Sequence, residues 1–300
     1  MREVAAGLAV AALIGAAAAG CSGSGGSPSP PRPAPPVSYY LALGDSLSVG
    51  AQPDTSGQSE PTGQGYASQL YAIARRERPG LRLVRLGCIG ETTATMIHGG
   101  ICRYPGGSQL ADAAAFLRAH RAKVALVTLD IGANDPETCL TTPTPGGLVT
   151  CATKTIPDAI RNLGTILSRL RQAGPGARII AMNYYLPALA QWRHGLTGEL
   201  IARAVELAAD GYNALLDREY RKYGVRVANV FSAFSTSDFG GTQTVRGYGS
   251  LPGNVAAICR WTWECAGPPR GPNQHPNRAG YQVITNAFLA AGVKQAVRGR

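Results

Sequence analysis

The sequence predicts an α/β fold, a doubly wound, three-layer sandwich in which helices cover both faces of a mostly parallel, five-stranded sheet. Two observations carry this. Five short apolar runs alternate with longer stretches whose apolar residues recur at helical spacing, the pattern of strands joined by crossover helices. The runs are apolar almost throughout instead of alternating with polar residues, as strands buried on both faces are. With 300 residues, 45% of them apolar, the chain can bury one full core, and a single folded domain is expected.

Met1 to Gly20 is alanine-rich and weakly apolar, with Arg2 near its start. It is too short and too poor in Leu and Ile to span a membrane, and residues 1–20 read as a signal peptide. Residues 21–36 are almost entirely Ser, Gly and Pro, which bury no core and form an extended tether. The folded domain is expected over residues 37–300. Its first strand, Val37 to Leu43, breaks at Gly44-Asp45-Ser46, and Gln52 to Gly65 reads as a polar surface loop. Tyr66 to Arg76 spaces Ala67, Leu70, Tyr71 and Ile73 on one helix face and stops at Pro79-Gly80. Leu81, Leu83 and Leu86 mark a second strand that runs into Gly87-Cys88-Ile89-Gly90.

Leu110 to His120 reads as a helix, and Lys123 to Ile131 is the clearest strand, ending at Gly132-Ala133-Asn134-Asp135-Pro136, a turn by composition. Ile156 to Gln172 is an amphipathic helix stopped by Gly174-Pro175-Gly176, and Arg178 to Tyr184 is a fourth strand. A helix over Leu196 to Lys222, a fifth strand over Val225 to Val230 and a final helix over Arg278 to Val297 complete the series.

The formal net charge is +11, and all but four of the 29 basic residues are Arg. They are scattered, without a Lys/Arg cluster interleaved with aromatics, which argues against nucleic-acid binding. Attraction to an anionic envelope or lipid surface fits the charge, as does an Arg-rich composition with no partner behind it. Seven cysteines are an odd number for an exported chain. Cys21 follows Ala18-Ala19-Gly20 and precedes a Ser/Gly run, which resembles a bacterial lipoprotein cleavage box whose cysteine is lipidated. It departs from that box at Ala18, where Leu is usual, and ordinary cleavage within Ala16 to Ala19 competes with it. If Cys21 is lipidated, the remaining six form an even set, as an oxidising compartment favours.

Three strand ends carry distinctive turns: Gly44-Asp45-Ser46, the one at Gly90, and Gly132-Ala133-Asn134-Asp135. Near the C-terminus stands Pro272-Asn273-Gln274-His275-Pro276-Asn277. Gly-Asp-Ser alone would occur by chance in roughly one chain in ten of this length. The ordered set of four resembles the SGNH, or GDSL, hydrolase family, named for a Ser, a Gly, an Asn and a His, over Tyr39 to about Phe288. The resemblance implies a flavodoxin-like strand order 2-1-3-4-5, with Ser46 at the switch point between Gly90 and Asn134. It also implies a nucleophile, Ser46, a base, His275, and an oxyanion hole from the Ser46 and Gly90 N–H groups and the Asn134 side chain. Taken singly, Gly90 could be a turn glycine and Asn134 an Asx-turn former. Asp45 is expected to hold the turn and not to act as acid or base.

Four histidines are present. His120 ends a helix, His98 and His194 lie in segments without a matching motif, and only His275 fits the family block. Most members place an Asp three residues before that His, where this chain has Pro272. The expectation is a Ser-His dyad oriented by a backbone carbonyl of the 270–273 loop, that of Pro272 included, with the Asn273 side chain as runner-up.

Six cysteines allow fifteen pairings, and proximity selects Cys88–Cys102, Cys139–Cys151 and Cys259–Cys265. Each would bracket a block, and the two longer loops would gain about 3 kcal/mol each in the chain-entropy model. The spacing suits no metal site, and no cofactor is expected. Trp261, Trp263 and the stretch from Tyr184 to Trp192 are candidates to line an apolar acyl pocket, or simply to pack their loops down.

The expected function is carboxylic ester hydrolysis, as an esterase or lipase, through an acyl-enzyme on a lipid or small acylated molecule. Envelope carbohydrate deacetylation or acyl transfer uses the same constellation, and a non-catalytic lipid- or glycan-binding lipoprotein is the rival outside enzymes. The chain is expected to be exported, held at the cell envelope if Cys21 is lipidated, and monomeric.

Overall fold

A computed structural model describes residues 35–141 and 145–298. Residues 1–34, which hold the expected signal peptide, Cys21 and all but the last two residues of the expected tether, lie outside the described residues. The core is a five-stranded, all-parallel sheet of β1 (Ser38–Gly44), β2 (Leu81–Arg85), β3 (Val124–Asp130), β4 (Ile179–Met182) and β5 (Arg226–Ala228), in the order 2-1-3-4-5. Leu41 of β1 lies opposite Val84 on one side and Val127 on the other, and Ala181 of β4 opposite Val227 of β5. In the two central strands Tyr40, Leu41, Leu43, Leu126, Val127 and Leu129 are fully buried, each such side chain contributing about 1.5–3 kcal/mol of transfer free energy. That double burial is why the runs read as apolar throughout.

One face is covered by the helices Tyr66–Glu77, Arg278–Ala290 and Val293–Arg298, which pack together; on the other, Pro145–Ala173 packs against both Gln109–Ala119 and Gly195–Lys222. Two small antiparallel ribbons, Gln52–Pro53 with Ser59–Glu60 and Thr242–Val245 with Gly249–Pro252, lie outside the sheet. Among the described residues no helix is long and apolar enough to cross a membrane.

Four elements differ from their sequence expectation. The helix expected from Ile156 begins at Pro145 and contains Pro157; a proline is tolerated in a helix's first turn, so the Pro/Gly-rich start conceals the helix. The final helix is two, broken at Gly292, whose φ of +102° cannot continue a right-handed helix. The fifth strand is three residues long because Asn229 caps a short helix, Val230–Ala233, its Oδ1 accepting from the Ser232 N–H at 2.9 Å. The loop Gln52–Gly65 carries the first ribbon, which brings Ser59 to His275.

The three disulfides join Cys88 to Cys102, Cys139 to Cys151 and Cys259 to Cys265, with Cα separations of 6.1, 5.6 and 4.8 Å.

Candidate active site

Parallel strands put all their carboxyl ends at one edge of the sheet, and the candidate residues follow β1, β2 and β3 there. At the end of β1, Gly44 has φ +134°, and a Cβ on it would stand 2.0 Å from the Asp130 carbonyl oxygen, so glycine alone fits. The Gln109 side chain closes on Gly44 from both sides: the Gly44 N–H donates to Oε1 at 2.7 Å and Nε2 donates to the Gly44 carbonyl at 2.9 Å. Beyond it, the Asp45 N–H donates to the Asp130 carbonyl at 3.0 Å. Asp45 Oδ1 accepts from the Leu47 N–H at 2.9 Å, and Ser48 Oγ donates to the Asp45 carbonyl at 2.8 Å. Ser46 is thus held in a turn bonded on either side of it. Burial pushes the Asp45 carboxyl up to about 7, and it raises Asp130 well above the carboxylate range, the charge of Asp45 adding to the effect.

The loop after β2 starts from the same anchor, the Cys88 N–H donating to the Gly44 carbonyl at 3.1 Å. Gly90 takes φ +81°, a left-handed conformation. One residue on, the Glu91 carbonyl accepts from Asn134 Nδ2 at 2.8 Å. An amide nitrogen carries two hydrogens, so this bond aims the Asn134 side chain and leaves its second N–H. Asp135 adds a second tie by accepting from the Thr93 N–H at 3.0 Å and from the Thr93 hydroxyl. Tyr212 Oη donates to the Gly132 carbonyl at 2.7 Å. The loops bearing Gly90 and Asn134 are therefore fixed to each other. Glu91 itself is buried and accepts from Tyr104 Oη and Gln109 Nε2, both at 3.1 Å. It braces the glutamine that clamps β1, a support role the sequence did not disclose.

His275 lies between two anchors. Tyr185 Oη donates to the Gln274 carbonyl at 2.8 Å, and Asn277 caps the helix Arg278–Ala290, its Oδ1 accepting from the Ala279 and Gly280 N–H groups at 3.0 Å each. The ring's Nδ1 faces Asn273 Oδ1 at 2.8 Å, and the same oxygen accepts from the His275 backbone N–H at 3.0 Å. A backbone N–H only donates, which identifies the facing amide atom as oxygen and makes Nδ1 the protonated nitrogen. Nε2 then carries the free lone pair. Asn273 Nδ2 in turn donates to Ser59 Oγ at 3.0 Å, which lies 3.2 Å from Nδ1. The partner of Nδ1 is thus the Asn273 side chain and not the Pro272 carbonyl: the amide can fold back over its own turn, where the carbonyl is not bonded to the ring. Ser59, distant in sequence, is a member that sequence reasoning missed.

Ser46, Asn134 and His275 line one cleft of about 40 Å³, with Asp45, Glu137, Tyr184 and Tyr185 among its walls. Gly90 stands outside this cleft wall. So do Trp261, which packs edge-on against Phe234, and Trp263, whose indole N–H donates to Gln52 Oε1 at 3.3 Å. Neither Trp is among the residues that line this cleft, and both pack against their loops, whereas Tyr184 does line it. The Tyr184 hydroxyl is buried there without a hydrogen-bond partner among the described residues. Glu137 accepts from Gln274 Nε2 at 3.2 Å, and burial raises its carboxyl. Among the described residues no group of His, Cys, Asp or Glu is arranged to hold a metal ion.

Burial lowers His275 to about 4, and its Nδ1 partner is an amide with no charge to offset that. A base must be neutral to accept a proton, so if His275 is the base, kcat/KM should stay level down to about pH 5 and fall along an acid limb near 4. Asn273→Asp places a carboxylate at the same atom, which raises an adjacent histidine by about 1–3 units. The limb should move up by that amount in a pH–rate profile; an unmoved limb would show that another group sets it.

Several solved structures share this architecture. An extracellular lipase from Streptomyces rimosus aligns with a TM-score of 0.56 at 19% identity, over 85% of this chain and 100% of its own. Phospholipase A1 from Streptomyces albidoflavus NA297 aligns at 0.53 and 18%, over 86% and 100%. An acetylxylan esterase from Geobacillus stearothermophilus aligns at 0.50 and 15%, over 85% and 93%. Such identities establish the fold. Curated protein sequences give no match. The sequence profile of the GDSL-like lipase/acylhydrolase family, however, matches residues 42–283, from within β1 through the His275 loop into the helix that follows it, and on that match the chain belongs to the GDSL-like lipase/acylhydrolase family.

Proposed function

We propose that the protein is a carboxylic ester hydrolase acting on short acyl groups through Ser46. The observation that carries this reading is the shared cleft of Ser46, Asn134 and His275, with His275 Nδ1 bonded to Asn273 so that Nε2 is the basic nitrogen. Ser46 Oγ bonds to the ester carbonyl carbon as its proton passes to His275 Nε2. The oxyanion is met by the Ser46 N–H and the second N–H of Asn134, the two of the three expected donors whose residues line the cleft. On collapse the C–O bond to the alcohol breaks and His275 returns the proton to it; water then attacks the acyl-enzyme by the same route. Asn273 supplies the orienting half of a triad acid's task but not its charge. The absent acid, which favours a non-catalytic scaffold, is met in that part.

The small cleft, about 40 Å³, supports short acyl groups over long ones. The same observation favours a second reading, deacetylation of envelope carbohydrate. The signal-peptide pattern and the three disulfides support export, and the Cys21 box supports a lipid anchor at the envelope. On p-nitrophenyl esters from acetate to palmitate, kcat/KM is expected to be highest at acetate to butyrate and to fall with length. An optimum at palmitate would reject the short-acyl reading in favour of a lipase. Folded protein inert on every ester but active on acetylated glycans would select the carbohydrate reading.

A further inference from the structure

The opposite end of the sheet, where the strands begin, holds a concave bowl of about 850 Å³, lined by Arg78, Lys123, Arg171, Arg178 and Arg226 and by no carboxylate. Its guanidinium groups are spent on neutral acceptors. Arg171 donates to the carbonyls of Tyr223, Ala177 and Gly224, Arg178 to that of Gln295, and Arg78 to that of Val297. Arg226 donates to the Ala291 carbonyl and to Gln295 Oε1. The bonds of Arg78, Arg178 and Arg226 tie the last helix down, yet none of these bonds cancels charge. The ion pairs among the described residues, Arg161–Asp158, Lys222–Glu219 and Arg298–Glu77, involve none of the five. A structural role for the arginines accounts for the bonds but not for the lack of any acid, nor for Lys123, which is exposed and makes no side-chain hydrogen bond or ion pair among the described residues.

The folded part of the chain also begins here. The Ser38 N–H donates to the Gly80 carbonyl at 3.1 Å, and the Tyr39 N–H donates to the carbonyl of Lys123 at 2.8 Å. The described chain thus starts at the bowl's rim. The candidate active site opens at the other end of the same parallel strands.

We infer that this bowl is a docking face for the anionic phosphate headgroups of a lipid bilayer, on which the domain rests with its catalytic cleft turned away from that membrane. A basic residue close to an anionic membrane adds about five-fold to partitioning, and five basic side chains with no carboxylate among them line this face. The inference does not depend on the hydrolase reading. It implies that substrates reach the cleft from the side away from the anchoring bilayer.

The test uses the full chain carrying Cys21→Ser, so that no attached lipid can report. Sedimentation is measured with phosphatidylcholine vesicles, with and without about 30% phosphatidylglycerol. Binding is expected only to the anionic vesicles and is expected to weaken at about 0.5 M salt. Lys123→Glu should reduce it about thirty-fold and Lys123→Gln about five-fold. Lys123 does not touch the cleft, so hydrolysis of a soluble ester, a check on folding, should be unchanged in both variants. Trp192, Trp261 and Trp263 all follow the carboxyl ends of the strands, so quencher-labelled headgroups should leave tryptophan fluorescence unaltered in the bound protein. Equal binding to neutral vesicles, indifference to Lys123→Glu, or strong tryptophan quenching would each overturn the inference. Stabilisation by inorganic phosphate without vesicle binding would reassign the bowl to a soluble phosphate ligand and overturn it likewise.

Discussion

Replacing Ser46 with alanine is expected to lower kcat/KM on a short-chain ester by at least about 10⁴-fold, and His275→Ala should do about the same. In the proposed mechanism the two act as one unit. Without the hydroxyl there is nothing to acylate, and without the imidazole the hydroxyl keeps its proton at neutral pH. The double variant should therefore be scarcely worse than either single one, because each removal already abolishes the step the other serves. Ser46→Ala deletes one oxygen from a turn held by bonds of Gly44, Asp45, Leu47 and Ser48, so the melting temperature should stay close to that of the parent. Single-variant losses that multiplied in the double variant would mean that the two residues contribute separately and that the dyad is wrong.

The second largest effect is expected at Asn134. Deleting one preorganised donor to an oxyanion typically costs about 10²–10³ in kcat, and Asn134→Ala removes both that donor and the 2.8 Å bond to the Glu91 carbonyl. The loss should fall on kcat with KM little changed, since the donor meets charge that develops in the transition state. Asn134→Asp separates the two roles. It keeps size and shape but sets a carboxylate against the oxyanion, and it should be at least as damaging as alanine. Near-normal kcat in Asn134→Ala would remove the residue from the catalytic machinery and leave it as a tie between two loops.

Much of this arrangement is legible in the sequence because local chemistry dictates it. Doubly buried strands need unbroken apolar runs, and β1 and β3 show them; β1 ends at Gly44 and β3 is followed two residues on by Gly132, both with positive φ. The order of the four motifs, with the family resemblance, gave the strand order, since short loops after neighbouring strands must share one edge. What was not legible depends on contacts between residues far apart in sequence. Gln109 clamps Gly44 across 65 positions, and Ser59 reaches His275 across 216. Neither has a motif, because any polar side chain on the right helix or ribbon could serve. Asn273 was legible as a candidate, but the choice between its amide and the Pro272 carbonyl turned on a turn geometry that spacing does not encode. The tryptophans were open in sequence between lining a pocket and packing their loops, because large aromatics near a motif fit both; the contacts of Trp261 with Phe234 and of Trp263 with Gln52 are loop contacts.

The most direct test of the serine mechanism is covalent. The protein is incubated with a fluorophosphonate, whose phosphorus bonds to an activated serine oxygen as fluoride leaves, and is followed by intact mass and peptide mapping. One equivalent of adduct is expected, on the peptide that contains Ser46, absent in Ser46→Ala and formed much more slowly in His275→Ala. Protein that hydrolyses esters while remaining unmodified, or that is modified at another residue, would contradict the assignment of Ser46 as the nucleophile.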